Sequence, residues 1–476
     1  MSPDRRLSRR QFVAVASAAS ASAIAGCSGG DTANESTTTG ETIPSTDTAA
    51  PTERPTTGPE TTTESGSSAL LTALDAAAVP VDLADPSGGL NRVADTVATA
   101  PVVGIGENSH GAREFKTIPR LLVRRLVADH GYRLVAMEGT LGDFTPVNTY
   151  VTGESDDLDA AMADLDFYFW QTPEIRALFE WLRTFNDGRP AADQVVVHGY
   201  DAQFHDVNAA ALRDYFERVD PEYLATVEDR LDPLTEPLYR QSDASFMTDE
   251  QTALLADLRE RLQANEAAYV EASSRAEWEL AKRHVWTMEK GLAFFAAAHE
   301  GNYTEGKTIR DAAMAENVAW LREWTDTDRA VVLGNSNHTM RGATGSDGAG
   351  ARMGEHLAEK FGEDYYSLGM LFGTGRFRAP ESRRRRSFAT YDLGEPTAGT
   401  LAPTLVDVSH PQFFLDLDGA RDRAEIETWL SDTTKTQFSV PNAADRGSLG
   451  LPAAPGDVYD GFVFVHTVSP ATFSTE

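Results

Sequence analysis

Cysteine is almost absent. The 476-residue chain has one, Cys27, so no intrachain disulfide can form and the fold must be held by burial and polar contacts. Basic residues are also scarce: 42 Lys and Arg stand against 73 Asp and Glu, a net charge of −31. A surface this acidic repels phosphate backbones, so nucleic acid is not expected as a partner. The acids are spread along the chain instead of massed in one tail, the pattern of a protein kept soluble in concentrated salt, where charge is screened. Beyond residue 26 no run is long and apolar enough to span a bilayer. No Gly-x-Ser-x-Gly elbow and no His-Glu-x-x-His pair occurs, which removes the strongest local signals of a serine hydrolase and of a zinc peptidase. There is no internal repeat.

Residues 8–12 read Ser-Arg-Arg-Gln-Phe, a twin-arginine export pattern. The small-residue apolar run from Val13 to Gly26 is too short for a transmembrane helix and suits the core of a signal peptide. It ends in Ile24-Ala25-Gly26-Cys27, which has the form of a lipobox. Residues 1–26 are therefore expected to be a signal peptide, with Cys27 lipidated and the protein anchored to the outer face of the cell membrane. Residues 27–68, rich in Thr, Ser, Gly, Pro and Glu, cannot bury a core and read as a disordered stalk. Residues 69–476 remain as one folded domain, long enough for a large core. The basic run Arg383–Arg386 stands out in so acidic a chain, as a surface loop pairing with carboxylates or as a contact for an anion or lipid headgroup.

Within that domain, short apolar runs at 101–106, 132–137, 194–198, 329–334 and 365–372 read as buried strands. Helical periodicity follows at 113–130, 157–165, 172–186, 308–324 and 351–361, with a late strand at 461–466. This alternation predicts an α/β fold with a mainly parallel central sheet surrounded by helices. Residues 206–298, charged, amphipathic and almost free of strand signals, read as a helical insertion or subdomain. Trp320 and Trp324, spaced i,i+4 on a helix, are expected in the core.

Four of the strands run into polar residues: Glu107-Asn108-Ser109-His110, Glu138, Tyr200-Asp201, and Asn335-Ser336-Asn337-His338. Ligands of parallel sheets bind beyond the carboxyl ends of the strands, so these four segments should meet. His110 is the candidate general base, because imidazole titrates near neutral pH. Glu107 or Glu138 can fix its tautomer. Asn335, Ser336, Arg113 or Arg120 can stabilise an oxyanion. Ser109 is a conceivable nucleophile. Glu107 and Asp201 also suit helix capping, and the same Glu and His set could ligate a metal, although its spacing is not that of a known zinc motif.

The segment Gly104-Ile-Gly-Glu-Asn-Ser-His-Gly-Ala-Arg-Glu-Phe115 resembles the Gly-Glu-x-x-His-Gly-x-x-Glu-Phe signature of the erythromycin esterase family. Further matches follow in order: Val135-Ala-Met-Glu138, Val147-Asn-Thr-Tyr150, the Trp170 region, Gly199-Tyr-Asp201, Arg310-Asp311, Met314-Ala-Glu-Asn317, Val331–His338, Arg341 and Met353-Gly354. The resemblance implies hydrolysis of an ester or lactone of a small molecule, with no metal or other cofactor required. It implies that His110 acts on water with Glu107 and Glu138, and the family's second strand-four His is kept as His338, expected in the catalytic set. Asn335, Arg120, Arg113 and Asp201 remain, from the residues themselves, the candidates to bind substrate or the oxyanion. Two positions depart from the family pattern. Asn335 stands where a His is usual, and Pro119 where an Arg is usual, with Arg120 beside it as the expected substitute. The competing reading is a non-catalytic surface lipoprotein whose pocket binds haem, a metal or a glycan. The oligomeric state is not legible in the sequence.

Overall fold

The computed structural model describes residues 63–474, except 86, 164, 237–248, 343–349, 383–384, 432–435 and 438–450. The expectations for Cys27 and the signal segment, for most of the stalk, and for Arg383 and Arg384 lie outside the described residues.

The central strands are short and apolar, as a sheet covered on both faces requires. Every residue of β2 (Val102–Glu107), β3 (Leu134–Thr140) and β5 (Ala330–Asn335) is buried, and all but the first of β4 (Val196–Asp201). With β6 (Tyr365–Ser382) and β11 (Gly461–Val468) they form a parallel array in the order β11-β6-β2-β5-β3-β4. Antiparallel strands extend it. β8 (Gln412–Asp416) pairs with β11, β1 (Val79–Pro80) pairs with β8, and β7 (Arg385–Leu393) pairs with the far half of β6. A separate two-stranded ladder joins β9 (Thr436–Gln437) to β10 (Leu451–Pro452).

Side-chain alternation along the strands feeds two cores. Val103 and Ile105 of β2 enter one, under the helices Gly89–Val97, Glu114–His130, Leu141–Thr152 and Pro173–Asn186. Val102 enters the other, under the helices Tyr303–Trp324 and Met353–Phe361. The helix boundaries have local causes. Gly131, at φ 75°, ends the Glu114–His130 helix in a left-handed cap. Thr140 and Asp143 form a capping box that starts the next helix directly off β3.

The described residues between 206 and 299 fold as expected into helices: Asp206–Val219, Pro221–Thr235, Asp249–Ala264, Glu266–Ala272 and Arg275–His299. They have a core of their own, including Leu212, Phe216, Leu231, Leu258, Trp278 and Met288. Three features differ from the sequence reading. The 365–372 strand continues to Ser382, because its far half is a hairpin with β7 and needs no apolar run. The Leu141–Thr152 helix escaped notice because Gly142 and Pro146 interrupt its periodicity. Trp320 and Trp324 stack on each other, with ring centroids 5.1 Å apart, but are only partly buried: they flank the core and line a surface groove with Trp286 and Arg283.

Candidate active site

The sheet register brings the polar strand ends together. Glu107, the last residue of β2, lies directly across from Asn335, the last of β5. Beyond Glu107 the chain turns, and three residues later His110 folds back on it, with Nδ1 2.6 Å from the Glu107 Oε1. The imidazole is stacked on Phe169, centroids 3.9 Å apart. Its Nε2 lies 3.4 Å from the Asn335 side-chain nitrogen. The amide orientation follows from its other end, because Asn335 Oδ1 accepts the backbone N–H of Asn337 at 2.8 Å. Asn335 Nδ2 is therefore a donor facing His110 Nε2. That nitrogen must carry the lone pair, and Nδ1 carries the proton shared with Glu107. This is the tautomer a general base needs.

Glu107 is buried, and its second oxygen accepts from the ammonium of Lys116, which is wholly inaccessible. Lys116 comes from the first turns of the Glu114–His130 helix and lies over the indole of Trp170, 4.4 Å from its centroid. Burial pushes the Lys116 ammonium below its ordinary pKa, opposed by the Glu107 carboxylate.

A second histidine is held in a parallel way. His338 Nδ1 lies 2.6 Å from Asp311 Oδ1, and its Nε2 faces Glu138 Oε1 at 3.7 Å. Glu138 uses its other oxygen to accept the Asn335 backbone N–H at 2.7 Å, while Trp170 Nε1 donates to its carbonyl. Arg310 approaches Glu138 at 3.7 Å and forms a two-pronged pair with Asp201, at 2.9 and 2.5 Å. Gly334 permits this packing, since a Cβ there would sit 2.2 Å from the Tyr200 hydroxyl and 3.1 Å from Glu138. Burial on its own would raise the Asp311 pKa, but His338, Lys307 and Arg310 outweigh it and hold the carboxyl below its ordinary 3.8. A folded-state value below the unfolded one means that Asp311 adds stability that is complete above pH 3.8 and is lost as the pH falls through the folded value. Asp311→Asn is thus expected to destabilise the protein in urea melts near pH 6, with a deficit that shrinks steadily below pH 4. A deficit that stays constant into acid would disprove the linkage.

The structure thus gathers Glu107, His110, Glu138, Asn335 and His338, as the sequence suggested. It places three other candidates differently. Asp201 is fully buried, and its carboxylate is engaged by Arg310. Arg113 is largely exposed and paired with Glu174 at 3.0 Å. Arg120 lines the same groove as Arg113, and none of that groove's lining residues belongs to the histidine cluster. The cation at the histidine cluster is Lys116, on the same flank of the helix as Pro119 and one turn earlier, and it pairs with Glu107. Ser109 is buried, with Oγ accepting from the Gly111 N–H at 3.3 Å. Lys116 and Phe169 were missed altogether. A lysine set against the apolar stripe of Phe115, Ile118 and Leu122 was the available signal for the first. Arg310 and Asp311 entered the sequence reading only within an ordered motif. Among the described residues, no group of three or more His, Cys, Asp or Glu side chains is arranged to hold a metal ion.

Comparison with known proteins identifies the family. The model of the family described as erythromycin esterase matches residues 127–468, which includes Glu138, Asp201, Arg310, Asp311, Asn335 and His338; Glu107 and His110 lie upstream of the matched stretch. The chain is 24% identical to an erythromycin esterase type II of Escherichia coli, over 63% of this chain and 76% of that protein. It is 19% identical to the putative hydrolase YbfO of Bacillus subtilis (strain 168), over 78% and 84%. Among solved structures, a Bacillus cereus protein superposes with a TM-score of 0.73 at 22% identity, covering 86% of this chain and 99% of that one. A succinoglycan biosynthesis protein gives 0.72 at 20%, covering 86% and 98%. A mutant of the erythromycin esterase EreC in its open conformation gives 0.61 at 14%, covering 82% and 97%. With its strand-end histidines, its central sheet wrapped in helices and a family match over most of its length, the chain belongs to the erythromycin esterase family.

Proposed function

We propose that the protein hydrolyses an ester or lactone bond of a small molecule, with His110 as the general base on water. The observation that carries this reading is the Glu107–His110–Asn335 arrangement, which holds Nδ1 on a carboxylate and leaves Nε2 unprotonated, facing the Asn335 amide. In the reaction His110 Nε2 takes a proton from water as the water oxygen bonds to the acyl carbon. To the second hydrogen of Asn335 Nδ2 this reading assigns the oxyanion that forms. The carbon–oxygen bond of the ester then breaks, and the leaving alkoxide takes from the His110 imidazolium the proton that water gave it. Glu138 and Asp311 orient His338, as Glu107 orients His110. Substrate choice is assigned to the helical insertion and the loops around the strand ends.

The test is hydrolysis of a panel of simple esters, lactones and macrolides in concentrated salt, by the protein from residue 63 onward and by its Glu107→Gln variant. Turnover that falls about a hundredfold or more in the variant is expected. Turnover indifferent to Glu107 would reject the mechanism, and no turnover on any substrate class would favour a binding protein. We also propose, from the sequence of residues 8–27, that the protein is exported and lipid-anchored. Cys27→Ser should move it from the membrane fraction to the medium, and unchanged membrane retention would refute the anchor.

A further inference from the structure

Lys116 is a costly residue to place here. An ammonium inaccessible to solvent loses its hydration, and side chains of this kind persist only where a partner compensates. Its compensating partner is Glu107, the carboxylate that also holds His110. The two contacts use different oxygens: Lys116 takes Oε2 and His110 takes Oε1. One buried negative charge therefore faces two groups able to neutralise it, and only one of them is needed.

We propose that Lys116 is a positioning residue that keeps His110 unprotonated, by supplying the positive charge that Glu107 would otherwise draw from the imidazolium. The proposal rests on the assignment of His110 as base. With Lys116 present, Glu107 is already neutralised and His110 can remain a neutral imidazole with an unprotonated Nε2. Without it, the nearest available counter-charge for a buried carboxylate is a proton on the ring 2.6 Å away, and a protonated ring cannot accept a proton from water. The other groups around the pair do not replace the lysine. Asn335 faces the ring from the end of β5 and is neutral. Phe169 covers one ring face, and the Tyr168 hydroxyl beside it is held un-ionised, its pKa raised by burial first and by Glu107 after it. Glu138 and Glu174 are the further charges felt by Lys116, and both are negative. Arg310 and His338 face Glu138 instead.

The experiment compares the protein with Lys116→Met, Lys116→Arg and the double variant Lys116→Met/Glu107→Gln. Two readouts are taken: the pH dependence of kcat/KM, and titration of the His110 ring signals by NMR, which needs no substrate. In Lys116→Met the acid limb of the rate profile and the His110 titration should both move to higher pH by about one unit or more, with activity recovering toward alkaline pH. Lys116→Arg should restore the original position in part, and removing the Glu107 charge in the double variant should abolish the shift. A purely structural lysine would lower kcat/KM equally at every pH and leave the titration where it was, and that result overturns the proposal. If Lys116→Met does not fold, the same NMR titration of Lys116→Arg and of Glu107→Gln decides it: His110 must titrate at lower pH in Glu107→Gln than in the unsubstituted protein. A titration that moves as expected in a protein without hydrolytic activity would uphold the charge relation and reject the hydrolase reading alone.

Discussion

His110→Ala is expected to lower kcat/KM by about 10²- to 10⁴-fold, the range that a positioned general base contributes. The loss should fall mainly on kcat, because the imidazole acts on water in the transition state and its removal leaves the rest of the site standing. Glu107 keeps Lys116, Glu138 keeps Arg310 and the Asn335 backbone N–H, and His338 keeps Asp311. His110 itself is only partly buried and stacks on one ring, Phe169, so the thermal midpoint should change little. Measuring the melt and the steady-state constants on the same preparation separates lost chemistry from lost fold. A variant within tenfold of the parent enzyme would remove His110 from the mechanism and point to His338, the other acid-held imidazole.

The largest effect on stability is expected from Arg310→Met. Arg310 is buried between Asp201, with no solvent exposure, and Glu138. Burial on its own would lower the guanidinium pKa, but Asp201 first and Glu138 after it raise it above its ordinary value, so it stays charged at any working pH. Methionine fills much of the volume but leaves Asp201 as an unpaired buried charge, a change that typically costs about 3–5 kcal/mol. Urea denaturation at constant salt measures it. Adding Asp201→Asn should return a large part of the loss, since removing both partners of a buried pair is far less damaging than removing one. If Arg310→Met is as stable as the parent protein, the pair is not what holds the two strand ends together.

Much of this site was readable from residues alone, for a definite reason. Strands buried on both faces are runs of apolar residues, so the first polar residue after each run marks a strand end, and ends of parallel strands meet. Glu107, Glu138 and Asn335 were located that way, and His110 by its distance of three residues from Glu107. The arginines misled because the direction of a helical side chain depends on phase. Arg113, Thr117, Arg120 and Arg124 recur at i, i+4, i+7 and i+11 and share the outer face of their helix, while Lys116 and Pro119 share the flank turned inward. A sequence shows that spacing, but which flank meets the sheet is fixed only by packing. Strand order was equally hidden: β5 lies between β2 and β3, although nearly two hundred residues of chain separate it from β3, and that insertion alone makes Glu107 and Asn335 neighbours. The ordered family motif identified Arg310 and Asp311 without disclosing that one grips Asp201 and the other His338.

The buried charges behind the strand ends also define a proton inventory. Glu107, Glu138, Asp201 and Asp311 are four carboxylates, and Lys116, Arg310 and Lys307 are three cations set among them. With both histidines neutral the assembly carries one negative charge, and a single added proton makes it electroneutral. In the proposed reaction, the one proton that His110 takes from water is the one that brings this set to neutrality. These groups are buried, so the salt that screens the acidic exterior reaches them least.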